Sequence, residues 1–341
     1  MPQRRGPFPL LLGSVRQDND GMTMKIIVGV DGSEPSFDAL RWAAYEARRR
    51  GAELMLVSCY TVPALGGIDG AINPSSIDVE VLKAAMAAVI AHATEIVAAI
   101  DPELVVFGAT PMSSPVVGIT EPAVAGDEIV VGATGHSGMR YGLIGSVTTG
   151  VSHRAHVPVI VVPFKSPTGF GNTMKRIVVG VDGSPESLGA LEWAYDEALA
   201  TGAELAIVHA WIYPYTVTCN SIREIRKPLE LEAERELQSS VDLLGKRLAD
   251  GAVVVHSTLC ENTPAEALVQ AGIGADLIVV GSRGRGRLRS VLLGSVSRTV
   301  VYNALCPVAV IRIAGARQLH NHERFRHESS VSQVAVAANM G

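Results

Sequence analysis

The chain has 341 residues, 48% of them apolar and 18% charged, enough for two domains of ordinary size and too apolar for disorder to be its dominant state. Lys and Arg number 29 and Asp and Glu 34, a formal net charge of −5, which disfavours a coat for nucleic acid or for an acidic membrane surface. The four cysteines, Cys59, Cys219, Cys260 and Cys306, lie far apart and suggest neither a disulfide framework nor a thiolate zinc site.

Residues 1–23 have a basic start and the short patch FPLLLG, too brief and proline-interrupted for a signal-peptide core, and are expected to form a disordered extension. A β-rich run over 25–30 then meets Asp31-Gly32-Ser33. The apolar spacing predicts a helix over about 36–50, capped by Ser33 or Ser36 and ended by Gly51. A strand over 53–59, a variable segment and a second helix to about residue 100 follow. The apolar stretch 84–100 is broken by His92, Thr94 and Glu95, short of the ~18 uninterrupted apolar residues of a membrane span. After a strand over 104–108, Pro115, Gly118, Pro122 and Gly126 predict a kinked or shortened third helix. A strand over 128–132, a helix starting near Gly145 and a strand over 157–162 close the unit. The strands are continuous apolar runs, which predicts parallel strands covered on both faces.

The same order then repeats. KIIVGVDGS at Lys25 returns as RIVVGVDGS at Arg176, Trp42 matches Trp193, and Glu46 matches Glu197. EIVVGATGHSGMRYGLIGSV, ending at Val147, returns as LIVVGSRGRGRLRSVLLGSV, ending at Val296. Two homologous domains follow, 24–163 and 174–314, joined by a Gly- and Pro-rich linker over 164–173. In repeat 2, Leu237, Val241, Leu244 and Leu248 predict the buried stripe of one continuous second helix. TPAEALVQAGIGAD from Thr263 is a better third helix than its counterpart. Residues 315–341, with His320, His322 and His327, read as a flexible tail.

The candidate site lies where each late strand ends. Gly132 and Gly135, then Gly145-Ser146, recur as Gly281 and Gly284, then Gly294-Ser295, with the same spacing. Glycines let a ligand approach the backbone, and free N–H groups at a helix start suit phosphate oxygens. Asp31 and Asp182 end the first strands. Each is either a turn or capping aspartate or a carboxylate reading a base or ribose. There is no GxxxxGK[ST] loop and no GxGxxG after a first strand, which excludes a P-loop NTPase and disfavours a dinucleotide dehydrogenase. No nucleophile or general base with a partner stands out. Cys306 beside Pro307 reads as packed, and His209 and His256 as ordinary strand residues. Arg283, Arg285, Arg287 and Arg289 crowd the second loop where the first has His136 and Arg140, so site 2 is expected to bind a polyphosphate more tightly.

GVDGS followed by G-x2-G-x9-G-[ST], present twice, resembles the universal stress protein family in its tandem, ATP-binding form, over about residues 24–314. The resemblance implies two open, mostly parallel five-stranded α/β sheets, Rossmann-like in order 3-2-1-4-5, with helices on both faces. It implies a stress-response, regulatory protein of the cytoplasm that binds ATP, with Mg2+ as an optional companion. In repeat 1, Gly29, Val30 and Asp31 would line the base and ribose end. Gly132, Gly135, His136 and Gly138 would wrap ribose and phosphates, and Gly145, Ser146, Val147 and Thr148 would complete the phosphate cradle. In repeat 2 these parts fall to Gly180, Val181 and Asp182, to Gly281, Gly284, Arg285 and Gly286, and to Gly294, Ser295, Val296 and Ser297. The end of the second strand, Ser58 or His209-Ala210, would touch adenine. A slow Mg-dependent ATPase and a scaffold that has lost its ligand are the alternatives. The last strand of each repeat would be a hydrophobic edge, and the two edges are expected to pair with each other; a homodimer of the whole chain is a further expectation.

Overall fold

A computed structural model describes residues 23–62, 78–135, 144–164, 166, 173–212, 222–249, 251–285 and 293–313. Repeat 1 runs β1 (Lys25–Gly29), α1 (Glu34–Arg50), β2 (Glu53–Val57), α2 (Val79–Ile100), β3 (Val106–Ala109), α3 (Pro115–Thr120), β4 (Glu128–Gly132), α4 (Ser146–Arg154) and β5 (Val159–Val162). Repeat 2 runs β6 (Arg176–Val181), α5 (Pro185–Thr201), β7 (Glu204–Trp211), α6 (Ile222–Asp242), α7 (Lys246–Ala249), β8 (Val255–Glu261), α8 (Pro264–Ala271), β9 (Leu277–Gly281), α9 (Ser295–Asn303) and β10 (Val308–Ile311).

Each repeat has the expected order 3-2-1-4-5 and only parallel pairs. The two five-stranded sheets join through their last strands, as expected. They fuse into one ten-stranded sheet, β3-β2-β1-β4-β5-β10-β9-β6-β7-β8. The junction is the pairing of the two last strands, antiparallel, with Val159 opposite Val310 and Val161 opposite Val308. Both strands are fully buried, so this pairing removes two apolar edges that would otherwise recruit other chains. It also sets the geometry of everything that follows. Because β5 and β10 run in opposite directions, the C-terminal ends of the two sets of strands face opposite edges of the sheet.

Alternate residues of each strand feed opposite faces. Ile26 and Val28 pack beneath α1 and α2, while Ile27 packs beneath α3 and α4; repeat 2 does the same with Ile177 and Val179 against Val178. α2 is long and apolar enough to cross a membrane by length and composition, but here it rests on α1, β2 and β3 through Ile90, Ala93 and Val97. α3 has six residues and its counterpart α8 eight, the shortening that Pro122 imposes. The stripe from Leu237 to Leu248 is not one helix. α6 ends at Asp242, Gly245 takes a positive φ of 43°, and α7 resumes with Leu248 partly buried. Glycine is what permits that left-handed step.

Candidate functional site

The two helices that follow the glycine-rich loops lack the side-chain cap that five other helices carry. α1, α2, α3, α5 and α8 are capped by the side chains of Ser33, Asp78, Ser114, Ser184 and Thr263. α4 and α9 begin instead at Gly145 and Gly294, with no side-chain cap. Their backbone at the cap, φ −58° in both, is open to any residue. An added Cβ would meet nothing nearer than 3.4 Å at Gly145 and 3.3 Å at Gly294. The contact at Gly294 is a close one, with the backbone of Arg283, and no side chain caps the first N–H groups of either nine-residue helix, where the positive end of the helix dipole lies.

In repeat 2 this helix start opens into a cavity of about 340 Å3. Its walls come from the ends of β6 (Gly180, Val181, Asp182), β7 (Val208, Ala210) and β9 (Val280, Gly281), from α8 (Pro264, Leu268), from Ser187, and from the loop residues Arg283, Gly284 and Arg285. Gly294, Ser295, Val296 and Ser297 form the remaining side. One end is thus apolar, built of Val181, Val208, Ala210 and Leu268, and the other is lined by backbone donors and by Arg283, which makes no ion pair among the described residues.

Asp182 joins the two halves of this site. Its Oδ1 accepts from the N–H of Ser184 at 3.0 Å and from the Ser184 hydroxyl at 2.5 Å, and its Oδ2 accepts from the N–H of Arg285 at 3.1 Å. Burial works against the charged form, but these bonds and one with Ser187 outweigh it and hold the carboxyl below its ordinary range. Asp31 makes the equivalent turn with Ser33, at 3.0 Å to the N–H and 2.5 Å to the hydroxyl. The turn reading of these aspartates is therefore correct as far as Oδ1 goes, and the carboxylate still reaches the late loop. Gly135 and Gly284 make room for it, since a Cβ at either would run into Oδ2 of Asp31 or Asp182.

Other glycines of the motif serve packing. A Cβ on Gly132 would stand 2.7 Å from the carbonyl oxygen of Pro35, and one on Gly281 2.8 Å from the Glu186 backbone, so each lets the start of α1 or α5 settle against a strand end. Gly29 accommodates Ile119, and Gly180 accommodates Leu268. Thr148 and Ser297 are buried, and their hydroxyls donate inward to the carbonyls of Gly132 and Gly281, both at 2.7 Å. Each pins its helix start to the strand and spends its proton there.

Gly29, Val30, Asp31, Gly132, Gly135, Gly145, Ser146, Val147 and Thr148 stand in repeat 1 as their counterparts do in repeat 2. His136, Gly138 and Gly286 lie outside the described residues, as do Arg140, Arg287 and Arg289. Of the second-strand ends, Ala210 lines the cavity, whereas Ser58 is buried with its hydroxyl on the sulfur of Met86. His209 is buried, with Nδ1 2.8 Å from the Val181 carbonyl and Nε2 3.3 Å from Glu236. Glu236 also pairs with the Arg285 guanidinium at 2.8 Å, and this bond above all, partly opposed by desolvation, raises the pKa of Arg285. Glu236 carried no sequence signal, because α6 reads as a charged solvated face. Burial pushes the Cys306 thiol up to about 12, consistent with a packed cysteine.

These features define a tandem α/β protein with a glycine-bordered cavity and an open helix start at the ends of parallel strands, the place where such sheets hold ligands. The model of the universal stress protein family matches residues 22–163 and again 173–312, and the chain belongs to that family. It is 33% identical over 301 residues to a universal stress protein of Mycobacterium tuberculosis, covering 84% of this chain and 96% of that one. A second universal stress protein of the same organism is 33% identical over 316 residues, covering 88% of this chain and 97% of that one. The crystal structure of a universal stress protein from Archaeoglobus fulgidus shares the fold with a TM-score of 0.60 at 24% identity, over 84% of this chain and 96% of that one.

Proposed function

We propose that the chain is an ATP-binding, stress-response regulatory protein, with its principal site in the repeat 2 cavity. Adenine occupies the apolar end against Val181, Val208 and Ala210, and the phosphates sit on the N–H groups of Ser295 and Val296 near Arg283. The observation that carries this reading is the start of α9, which no side chain caps and which lines a cavity within the size range of small-ligand sites. Mg2+, the optional companion, would enter with the nucleotide on its phosphates. The reading puts the protein in the cytoplasm, where ATP is abundant.

The test is titration calorimetry of the full chain with Mg-ATP, on the wild type and on Gly294→Asp. An aspartate at that position caps α9 and puts a negative charge where the phosphates belong. Binding to the wild type, lost or weakened at least tenfold in the variant at unchanged melting temperature, supports the reading. No binding to the wild type, or equal binding to both, removes it.

A further inference from the structure

Five ionisable side chains meet across the seam between the repeats, and none of them belongs to the cavity. Glu46, Arg49 and Arg50 come from the last turns of α1, Glu128 from the first residue of β4, and Glu197 from α5. The three carboxylates are 3–4% exposed and the two guanidinium groups 14% and 21%. Arg49 bonds both Glu46 and Glu197 through Nη2. Arg50 bonds Glu46 through Nε and Glu197 through Nη2, and Nη2 also lies 3.1 Å from Glu128. Burying ionisable groups of this kind commonly costs more than filling a seam with apolar side chains, so stability alone does not account for the cluster.

Its symmetry does. Glu46 and Glu197 hold the same position in the two repeats and so face each other across the pseudo-twofold axis of the ten-stranded sheet. A guanidinium bonded to both sits close to that axis. The other members have no mates: where repeat 1 has Arg49, Arg50 and Glu128, repeat 2 has Ala200, Thr201 and Leu277. In a pair of identical units, every group on the axis meets its own copy. Two repeat 1 units would bring two Arg49 side chains to one place. Two repeat 2 units would bury two Glu197 carboxylates with no cation. Only unlike repeats complete the set.

We infer that this cluster makes the seam selective: repeat 1 accepts repeat 2 as its partner, and neither accepts its own kind. The apolar pairing of β5 with β10 is nearly the same from either side and cannot make that distinction, whereas the arginines can. With the repeats joined by a short linker, the chain closes on itself, and its last strands are withheld from like strands of other copies.

The test exchanges residues between the two sides in the full chain. Arg49→Ala, Arg50→Thr and Glu128→Leu together give repeat 1 the residues of repeat 2 and leave Glu46 facing Glu197 unpaired. Ala200→Arg, Thr201→Arg and Leu277→Glu together crowd the axis with a second set. Each triple variant is expected to lose about 10 °C in melting temperature. Combining all six substitutions rebuilds the cluster in mirror image, and the combined chain is expected to recover at least half of the larger loss. If either triple variant melts within about 2 °C of the wild type, or if the chain with all six substitutions recovers less than half of the larger loss or fails to fold, the inference is overturned.

Discussion

The N–H of Arg285 donates to Oδ2 of Asp182 at 3.1 Å, joining the late glycine loop of repeat 2 to the end of its first strand across 103 positions of sequence. The same carboxylate holds the Ser184 turn through Oδ1, so one side chain fixes both the start of α5 and the wall of the cavity. Asp182→Asn keeps the shape but supplies one acceptor oxygen in place of two. The expected result is a three- to tenfold loss of ATP affinity, read by calorimetry, and a fall of a few degrees in melting temperature, since hydrogen bonds to a charged group contribute roughly 1.5–3 kcal/mol. The folded carboxyl titrates below its ordinary 3.8, so its stabilising share is complete above that value and is lost as the pH falls through the lower one. The melting curves of wild type and variant are therefore expected to converge only below about pH 4.

The glycines of one motif divide into two kinds, and substitution separates them. Gly281→Ala drives a Cβ to within 2.8 Å of the Glu186 backbone, which cannot move without displacing α5. A loss of several degrees in melting temperature is expected, of the order of 1–3 kcal/mol for overpacking. Gly294→Ala meets the Arg283 backbone at 3.3 Å, a close contact short of a clash, and is expected to lose less than half as much as Gly281→Ala. A thermal scan of the two variants side by side checks this. Equal losses would mean that both glycines are packing residues.

Glu128 gives the seam a pH dependence. Desolvation raises its carboxyl to about 8 despite the nearby Arg50, and Oε2 finds no hydrogen-bond partner among the described residues. A carboxyl whose folded value lies above the ordinary 4.5 binds its proton more tightly in the folded chain. Its stabilising share is complete below about pH 4.5 and is lost as the pH rises through about 8. The melting temperature is expected to fall by roughly 5–10 °C between pH 5 and pH 9. Glu128→Leu, the residue of the matching position in repeat 2, flattens much of that slope. A part survives, because burial also raises Glu197. An unchanged slope in Glu128→Leu would place the titrating group elsewhere.

What could be read from sequence follows from how locally each feature is encoded. The strand ends, the Gly51 stop and the open starts of α4 and α9 are written in adjacent residues and were repeated in both halves, so spacing alone located them. Strand order needed the family resemblance. The two sheets joined as one because hydrophobic edges of the same kind pair, and that too was foreseeable from β5 and β10. Glu236 was not, since its partners Arg285 and His209 sit on other elements and its neighbours in α6 are charged surface residues. Glu46 and Glu197 are equivalent positions of the two repeats in sequence, but that equivalent residues meet across an axis is a property of the assembled sheet. The hydroxyls of Thr148 and Ser297 have the residue type for a phosphate site, yet a strand carbonyl one turn away takes their protons first.

The two sites are built on one plan and differ at few positions, which makes their inequality testable by exchange. Arg283 lines the repeat 2 cavity where repeat 1 has Thr134, and His209 with Glu236 stands where repeat 1 has Ser58 with Met86. The guanidinium of Arg285 is already engaged by Glu236, so Arg283 is the described loop arginine left to meet a phosphate in site 2. A cation beside a triphosphate at a partly buried site is worth roughly a factor of ten or more in affinity. Calorimetry of the wild type is thus expected to show a tighter and a weaker phase. Gly294→Asp removes the tighter one, Gly145→Asp the weaker one, and Arg283→Thr brings the two affinities to within about threefold of each other. If Gly145→Asp instead abolished the tighter phase, repeat 1 would be the principal site and the arginines of the second loop would be a solvated surface run.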